Sequence, residues 1–212
     1  MAVKDKLIKR AEIVRQMRNF FIERGFLEVS TPAVVPVPSL EPYLTPFDTS
    51  FTDERGQVFT GSLITSPEYS LKKLLAAGLA RKLFEICKVW RSGEHFGGWH
   101  NPEFTMIEWY QTGVDYQTIM EDTEQLIFSL AAGSNISYQG REIDLALPWP
   151  RLSMRSAWQK YAGVELNDFL DRDRMAELAA KKGYQVFPSD SFDDLFFKIF
   201  LNEIEPPLLG DN

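Results

Sequence analysis

Residues 84–110, FEICKVWRSGEHFGGWHNPEFTMIEWY, constrain the chain more than any other stretch, because they read as two buried strands joined by a loop rich in ligand-grade side chains. On the first strand Phe84, Ile86, Val89 and Trp90 carry the apolar signal, and Arg91 ends it. On the second, Phe104, Met106 and Ile107 alternate imperfectly with Glu103, Thr105 and Glu108, and the loop between holds Gly93, Gly97 and Gly98. A carboxylate among aromatics is costly as core, since an ionised group taken out of water needs a partner. One face of this strand pair is therefore expected to meet a cavity or a polar ligand, and the candidate site is placed there.

The rest of the chain fits a single α+β domain over residues 1–212: 44% of its 212 residues are apolar, enough for one substantial core. No apolar run approaches the ~20 residues that cross a bilayer, and MAVKDKLIKRAEIV lacks the apolar core of a secretory signal. A cytoplasmic protein without membrane partners is expected. Cys87 stands alone, which excludes an internal disulfide and a thiolate metal cluster, and reads as a small core residue rather than a nucleophile. With His95 and His100 the only imidazoles, no metal ligands are assigned in this chain. A net charge of −7 argues against a broad nucleic-acid surface. The basic residues at Lys4 to Arg10 and at Lys72, Lys73, Arg81 and Lys82 read as solvated helix faces.

Along the chain, Leu7, Ile8, Ala11, Val14, Met17, Phe20 and Phe21 recur at spacings of three and four, predicting a helix over 5–24 with one buried stripe, stopped by Gly25. A strand at 26–29 follows, ending at Ser30-Thr31-Pro32. Pro36, Pro38, Pro42 and Pro46 predict a loop over the site. Strands at 47–52 and 57–60 flank the turn Asp53-Glu54-Arg55-Gly56. Ser62 to Glu68 passes from strand into helix, with Thr65 and Glu68 spaced as a capping box; the helix runs on through 69–80 with Leu71, Leu74, Leu75 and Leu79 inward. Beyond the central pair come a helix over 115–132 burying Ile119, Met120, Leu126, Ile127 and Leu130, a hairpin around Gln139-Gly140-Arg141, and helices at 153–161, 168–183 and 190–205. The last is expected to end at Pro206-Pro207.

The string Phe84-Glu85-Ile86, Trp90-Arg91, Glu94 and His100-Asn101-Pro102-Glu103-Phe104-Thr105-Met106-x-Glu108-Trp109-Tyr110 resembles motif 2 of the class II aminoacyl-tRNA synthetases, within them the lysyl branch. The Trp before Tyr110 resembles in particular the elongation factor P lysine ligases. The long helix, Arg24-Gly25-Phe26, strand and Pro32 resemble motif 1, which in that superfamily forms the dimer interface. The resemblance runs from about Lys9 to Gly210.

This resemblance implies a class II synthetase-like antiparallel sheet flanked by helices, with ATP as substrate. It also implies lysine or β-lysine as the amino acid, elongation factor P as acceptor in preference to tRNA, and a homodimer. It implies that Ser66 and Glu68 lie beside the amino-acid pocket, with Glu68 and Glu108 near the α-ammonium and Tyr110 toward the ε-ammonium. Activation of a carboxylate gathers negative charge at the α-phosphorus, which a guanidinium bridges in two-point geometry, so Arg91 is the catalytic candidate. Glu94 can accept from the adenine amino group, Phe104 offers a stacking face, and His100 and Asn101 reach phosphate oxygens or order the loop.

Two departures stand out. The family has one residue between Arg and Glu, whereas Arg91-Ser92-Gly93-Glu94 holds two, so that either Glu94 is offset or Gly93 bulges. The glycine-rich motif 3, and the carboxylates before it that hold Mg2+ and the lysine ε-ammonium, have no counterpart. The expectation is a C-terminally truncated domain, inactive alone. The alternatives are a catalytic-core fragment of a lysyl-tRNA synthetase and a non-catalytic dimerisation module.

Overall fold

The apolar spacing of the N-terminal segment produces α1 (Val3–Glu23), and the chain turns out of it where Gly25 takes a φ of +77°, a conformation glycine adopts without steric cost. This computed structural model describes residues 2–38, 41, 43–93, 100–131 and 133–210. Their contacts divide into two units, Met1–Leu130 and Ala131–Asn212.

Only the C-terminal half of α1 is buried in the first unit. Phe20 and Phe21 are enclosed, but Leu7 is 62% and Ile8 50% exposed and Ala11 is exposed, so the expected continuous stripe is corrected: no described part of the unit covers its first two turns. β1 (Leu27–Glu28) follows and pairs in parallel with β5 (Lys82–Trp90), which pairs antiparallel with β6 (Glu103–Gln111) in the order β1-β5-β6. A second sheet, β2-β4-β3, joins β2 (Val34–Val35), β4 (Val58–Leu63) and β3 (Asp48–Thr52). The proline-rich segment thus contributes two strand residues as well as loop. They lie on a sheet edge, where the flanking Pro36 and Pro38 interrupt no central ladder. Gly61 permits this pairing, since a Cβ there would come within 2.9 Å of the Val35 carbonyl oxygen. The β3–β4 turn is held by Asp53, whose Oδ1 accepts from the amides of Arg55 and Gln57, and β4 extends three residues past the expected end.

α2 (Glu68–Ala76) begins without help from Thr65, whose Oγ1 is buried with no hydrogen-bond partner. Ser66 takes the capping role instead, its Oγ accepting from the Glu68 amide at 3.1 Å. Gly78, at φ +76°, ends the segment earlier than the apolar pattern implies. α3 (Tyr116–Ala131) starts at Asp115, whose Oδ1 accepts from the amides of Gln117 and Thr118. It buries Leu126 and Glu124, while Met120 and Ile127 stay at the surface, contrary to expectation. The core of this unit is aromatic: Phe20, Phe21, Phe26, Phe84 and Leu126, with Ile86, Ile107 and Trp109 against them.

The second unit opens with β7 (Asn135–Tyr138) and β8 (Arg141–Asp144), joined by Gln139 and Gly140, both at positive φ as a two-residue hairpin turn requires. α4 (Met154–Ala157), capped by Ser153, runs into a π-helical turn at Trp158–Ala162. α5 (Arg172–Lys181) is capped by Asp171 and preceded by a 3-10 turn, so the helix expected from residue 168 is two pieces. α6 (Phe192–Ile199) continues through a π-helical turn into α7 (Glu205–Gly210). Pro206 and Pro207 therefore do not end the last helix; helical backbone runs across them directly after the π-helical turn. Trp158, Met175, Leu195, Ile199 and Ile204 form the buried centre.

Ser191 and Asp194 form a reciprocal cap on α6: the Ser191 Oγ accepts from the Asp194 amide at 3.1 Å, and the Asp194 carboxylate accepts from the Ser191 amide at 2.8 Å. Replacing Ser191 by Ala is expected to destabilise the chain by about 0.5–2 kcal/mol in urea unfolding. The Ser191 hydroxyl and amide hold the Asp194 carboxyl below its ordinary value. A depressed folded-state pKa gives stability that is present above the unfolded value and lost as pH falls through the folded one. The difference between wild type and Ser191→Ala should therefore shrink as pH falls below the ordinary aspartate range.

Candidate functional site

β5 and β6 pair over nine positions, Glu85 opposite Glu108, Cys87 opposite Met106 and Val89 opposite Phe104. Directly opposed residues of an antiparallel pair share a face, and side chains alternate along each strand. One face therefore carries Phe84, Ile86, Ile107 and Trp109 into the aromatic core. The other carries Glu85, Cys87, Val89 and Arg91 beside Phe104, Met106, Glu108 and Tyr110. The sequence expectation of one apolar face is met at this register, and the opposite face gathers candidate site residues.

Arg91 lies just past the end of β5, where its amide donates to the Pro102 carbonyl at 2.9 Å. The next amide, Ser92, donates at 2.7 Å to Thr45, which brings the proline-rich loop alongside. The Arg91 guanidinium stands 5.2 Å from the centre of the Phe104 ring, and its Nε is buried with no acceptor among the described residues. A buried guanidinium N–H with no acceptor is costly unless an anion completes it. His100 and Asn101 are exposed at the start of β6, and His100 is engaged in interactions of its own. Glu94 and His95 lie outside the described residues. Gly93 before them takes φ +78°, the left-handed turn that a bulge at the extra residue would use.

At the other end of this face, Glu108 accepts from the Ser66 hydroxyl at 2.6 Å and from the Tyr110 hydroxyl at 2.5 Å. Burial, then the bond to Glu108, pushes the Tyr110 phenol well above its usual range, so it stays a donor. Ser66, Glu108 and Tyr110 are thus brought together as expected. Glu68 joins them through a partner that the sequence reading left in solvent: Lys72, whose ammonium contacts the Glu68 carboxylate and lies 5.8 Å from the centre of the Tyr110 ring. Lys72 is exposed, as the solvated-face expectation has it, and makes the Glu68 contact from that position. A helix spacing of four places it over Glu68, and α2 sets both beside β6.

Glu85 is the residue that sequence reasoning passed over. It is 2% exposed and accepts from the Thr31 amide and the Thr31 hydroxyl, each at 2.9 Å, tying the turn after β1 to the floor of the site. A single carboxylate between Phe84 and Ile86 in a strand was the signal available for it. Cys87, beside it, has its thiol pushed up to about 12 by burial and by the charges of Glu85 and Glu108, so it is no nucleophile at neutral pH. Glu103 is on the opposite face, paired with Lys88 at 2.5 Å and with the Trp90 indole, and needs no ligand. Cavities of about 550 Å³ beside Thr31, Glu85 and Trp90, and of about 170 Å³ beside Ser66, Tyr69 and Lys73, flank the site. Among the described residues no group of three or more His, Cys, Asp or Glu side chains is placed to hold a metal ion, so no step is assigned to Mg2+. No helix among them is long and apolar enough to cross a membrane.

The profile of the family described as tRNA synthetases class II (D, K and N) matches residues 1–193. The lysine–tRNA ligase of Pelotomaculum thermopropionicum is 35% identical over 216 residues, covering 98% of this chain and 41% of that protein. That of Moorella thermoacetica is 33% identical over 98% of this chain and 42% of its own length. That of Clostridium perfringens is 36% identical over 88% and 36%. The chain spans about two-fifths of the length of these relatives.

Proposed function

Because this chain belongs to the class II tRNA synthetases (D, K and N), we propose that it carries the core of a lysine-activating, AMP-forming site working in the cytoplasm. The observation that carries the proposal is the shared face of β5 and β6. A guanidinium with an orphaned Nε and an aromatic ring stand at one end, and two hydroxyl-bonded or paired carboxylates at the other. The first end suits an ATP α-phosphate and adenine. The second suits an amino acid bearing two ammonium groups, which leaves both carboxylates compensated where a neutral amino acid would not.

ATP supplies the phosphoanhydride whose cleavage makes carboxylate activation favourable. Arg91 holds the substrate carboxylate and α-phosphate together and opposes the charge that develops between them. Phe104 positions adenine, with Glu94, His100 and Asn101 completing the nucleotide side. Ser66 and Tyr110 keep the Glu108 carboxylate oriented, and Glu68 and Glu108 take the α-ammonium. The match over residues 1–193 spans both compact units, which supports treating them as parts of one family domain. The uncovered Leu7 and Ile8 on α1 support a homodimer formed through that helix and β1.

Calorimetric titration with lysine in the presence of a non-hydrolysable ATP analogue tests this reading. Binding of lysine in preference to neutral amino acids is expected, and binding of another amino acid with none of lysine overturns it. Two acceptors are supported by different observations. The Trp109-Tyr110 ending favours a lysine side chain of elongation factor P, with α- or β-lysine transferred. The relatives, each a lysine–tRNA ligase by name, favour tRNA. Transfer of radiolabelled lysine to elongation factor P or to tRNA decides between them.

A further inference from the structure

An ammonium group already occupies the acidic corner of the site. Lys72 follows Glu68 by one helical turn on α2, and its Nζ contacts a Glu68 carboxylate oxygen. A pair at this spacing is ordinarily a solvated helix-surface contact. Two features lie outside the helix and set this one apart. The ammonium lies 5.8 Å from the centre of the Tyr110 ring on β6, and it feels the charge of Glu108, the residue bonded to Ser66 and Tyr110. A primary amine on a four-carbon stem therefore contacts Glu68 beside the Tyr110 ring, whose hydroxyl donates to Glu108. That is chemically the side chain of free lysine, supplied by the chain itself.

We propose that Lys72 is an internal surrogate for the amino-acid substrate: it fills the cation subsite of the free protein, and a lysine-like ligand binds by displacing it from Glu68. The proposal rests on Glu68 and Glu108 forming the amino-acid subsite. Its consequence is competition: a ligand ammonium gains the Glu68 contact only by displacing the one that Lys72 already supplies. The Lys72 and Glu68 side chains are 55% and 31% exposed, so the pair is screened and displaceable.

The test is calorimetric titration of lysine into the full chain, with the non-hydrolysable ATP analogue present, for wild type, Lys72→Met, Lys72→Arg and Lys73→Met. Release of the surrogate in Lys72→Met is expected to tighten lysine binding about two- to fivefold, the size of an exposed ion pair. Lys72→Arg, whose planar fork grips a carboxylate at two points, is expected to weaken it. Lys73→Met, the same charge change one residue on, is expected to leave affinity unchanged. If wild type binds lysine and Lys72→Met binds it equally or less well, the surrogate is overturned while the subsite stands, with Lys72 reduced to holding Glu68. Equal tightening in Lys73→Met also overturns it, as a general charge effect. If no variant binds lysine, the subsite reading fails first and takes the surrogate with it.

Discussion

Wherever this chain supports lysine-dependent ATP–pyrophosphate exchange, alone or within a longer protein, Arg91→Ala is expected to slow it by about a hundredfold to a thousandfold, the loss of about 2.7–4 kcal/mol typical of removing one preorganised donor to developing charge. The backbone at this position is fixed independently of the side chain, by the Arg91 amide on Pro102 and the Ser92 amide on Thr45. Substitution therefore removes the guanidinium without moving the strand end. The Nε, buried with no acceptor among the described residues, makes no hydrogen bond to them that substitution would remove. The contact with Phe104 at 5.2 Å is worth about 0.5–1 kcal/mol. Activity should thus fall far more than stability. Arg91→Lys should not restore it, because an ammonium lacks the planar two-point geometry. Full exchange by a folded Arg91→Ala protein would remove Arg91 from the chemistry.

How much of this was legible in the sequence depends on range. The apolar pattern showed that β5 and β6 exist, but not their faces: Glu103 and Glu108, read together as carboxylates among aromatics, lie on opposite ones. Gly25, Gly56 and Gly140 marked their turns. The errors are failures of context. Leu7 and Ile8 have the spacing of buried residues, yet spacing says only that a stripe exists, not that anything in the chain covers it. Pro206 and Pro207 look like a stop, but the helical backbone behind the π-helical turn runs on across them. Thr65 and Glu68 matched the capping pattern, while Ser66, one residue nearer the helix, made the bond. Lys72 comes within 5.8 Å of the Tyr110 ring because α2 carries it toward β6, a placement no local pattern encodes. Glu85 announced itself as a buried carboxylate, but its partner Thr31 is 54 residues away.

The largest structural effect is expected from Phe21→Ala, which should destabilise the first unit by about 3–5 kcal/mol, the range for emptying a buried phenylalanine site. Phe21 is fully enclosed, and its ring centre is 5.1 Å from each of Phe20, Phe26, Phe84 and Trp109. Four rings cannot close over the gap without leaving their rotamers, so relaxation recovers little. Phe84 and Trp109 face each other across β5 and β6, one residue from Glu85 and Glu108, so this packing is the underside of the proposed site. Loosening it frees the strands to twist and moves the carboxylates relative to Arg91. Amide exchange of β5 and β6 should accelerate in Phe21→Ala in step with its loss of stability. Leu7→Ala, on the same helix but exposed, should cost no more than about 0.5 kcal/mol in dilute solution. Comparable costs for the two would mean that α1 buries a different face from the one described. A cost for Leu7→Ala that grows with protein concentration would instead identify the uncovered turns as a self-association surface, and would link assembly through α1 to the same helix that supports the site.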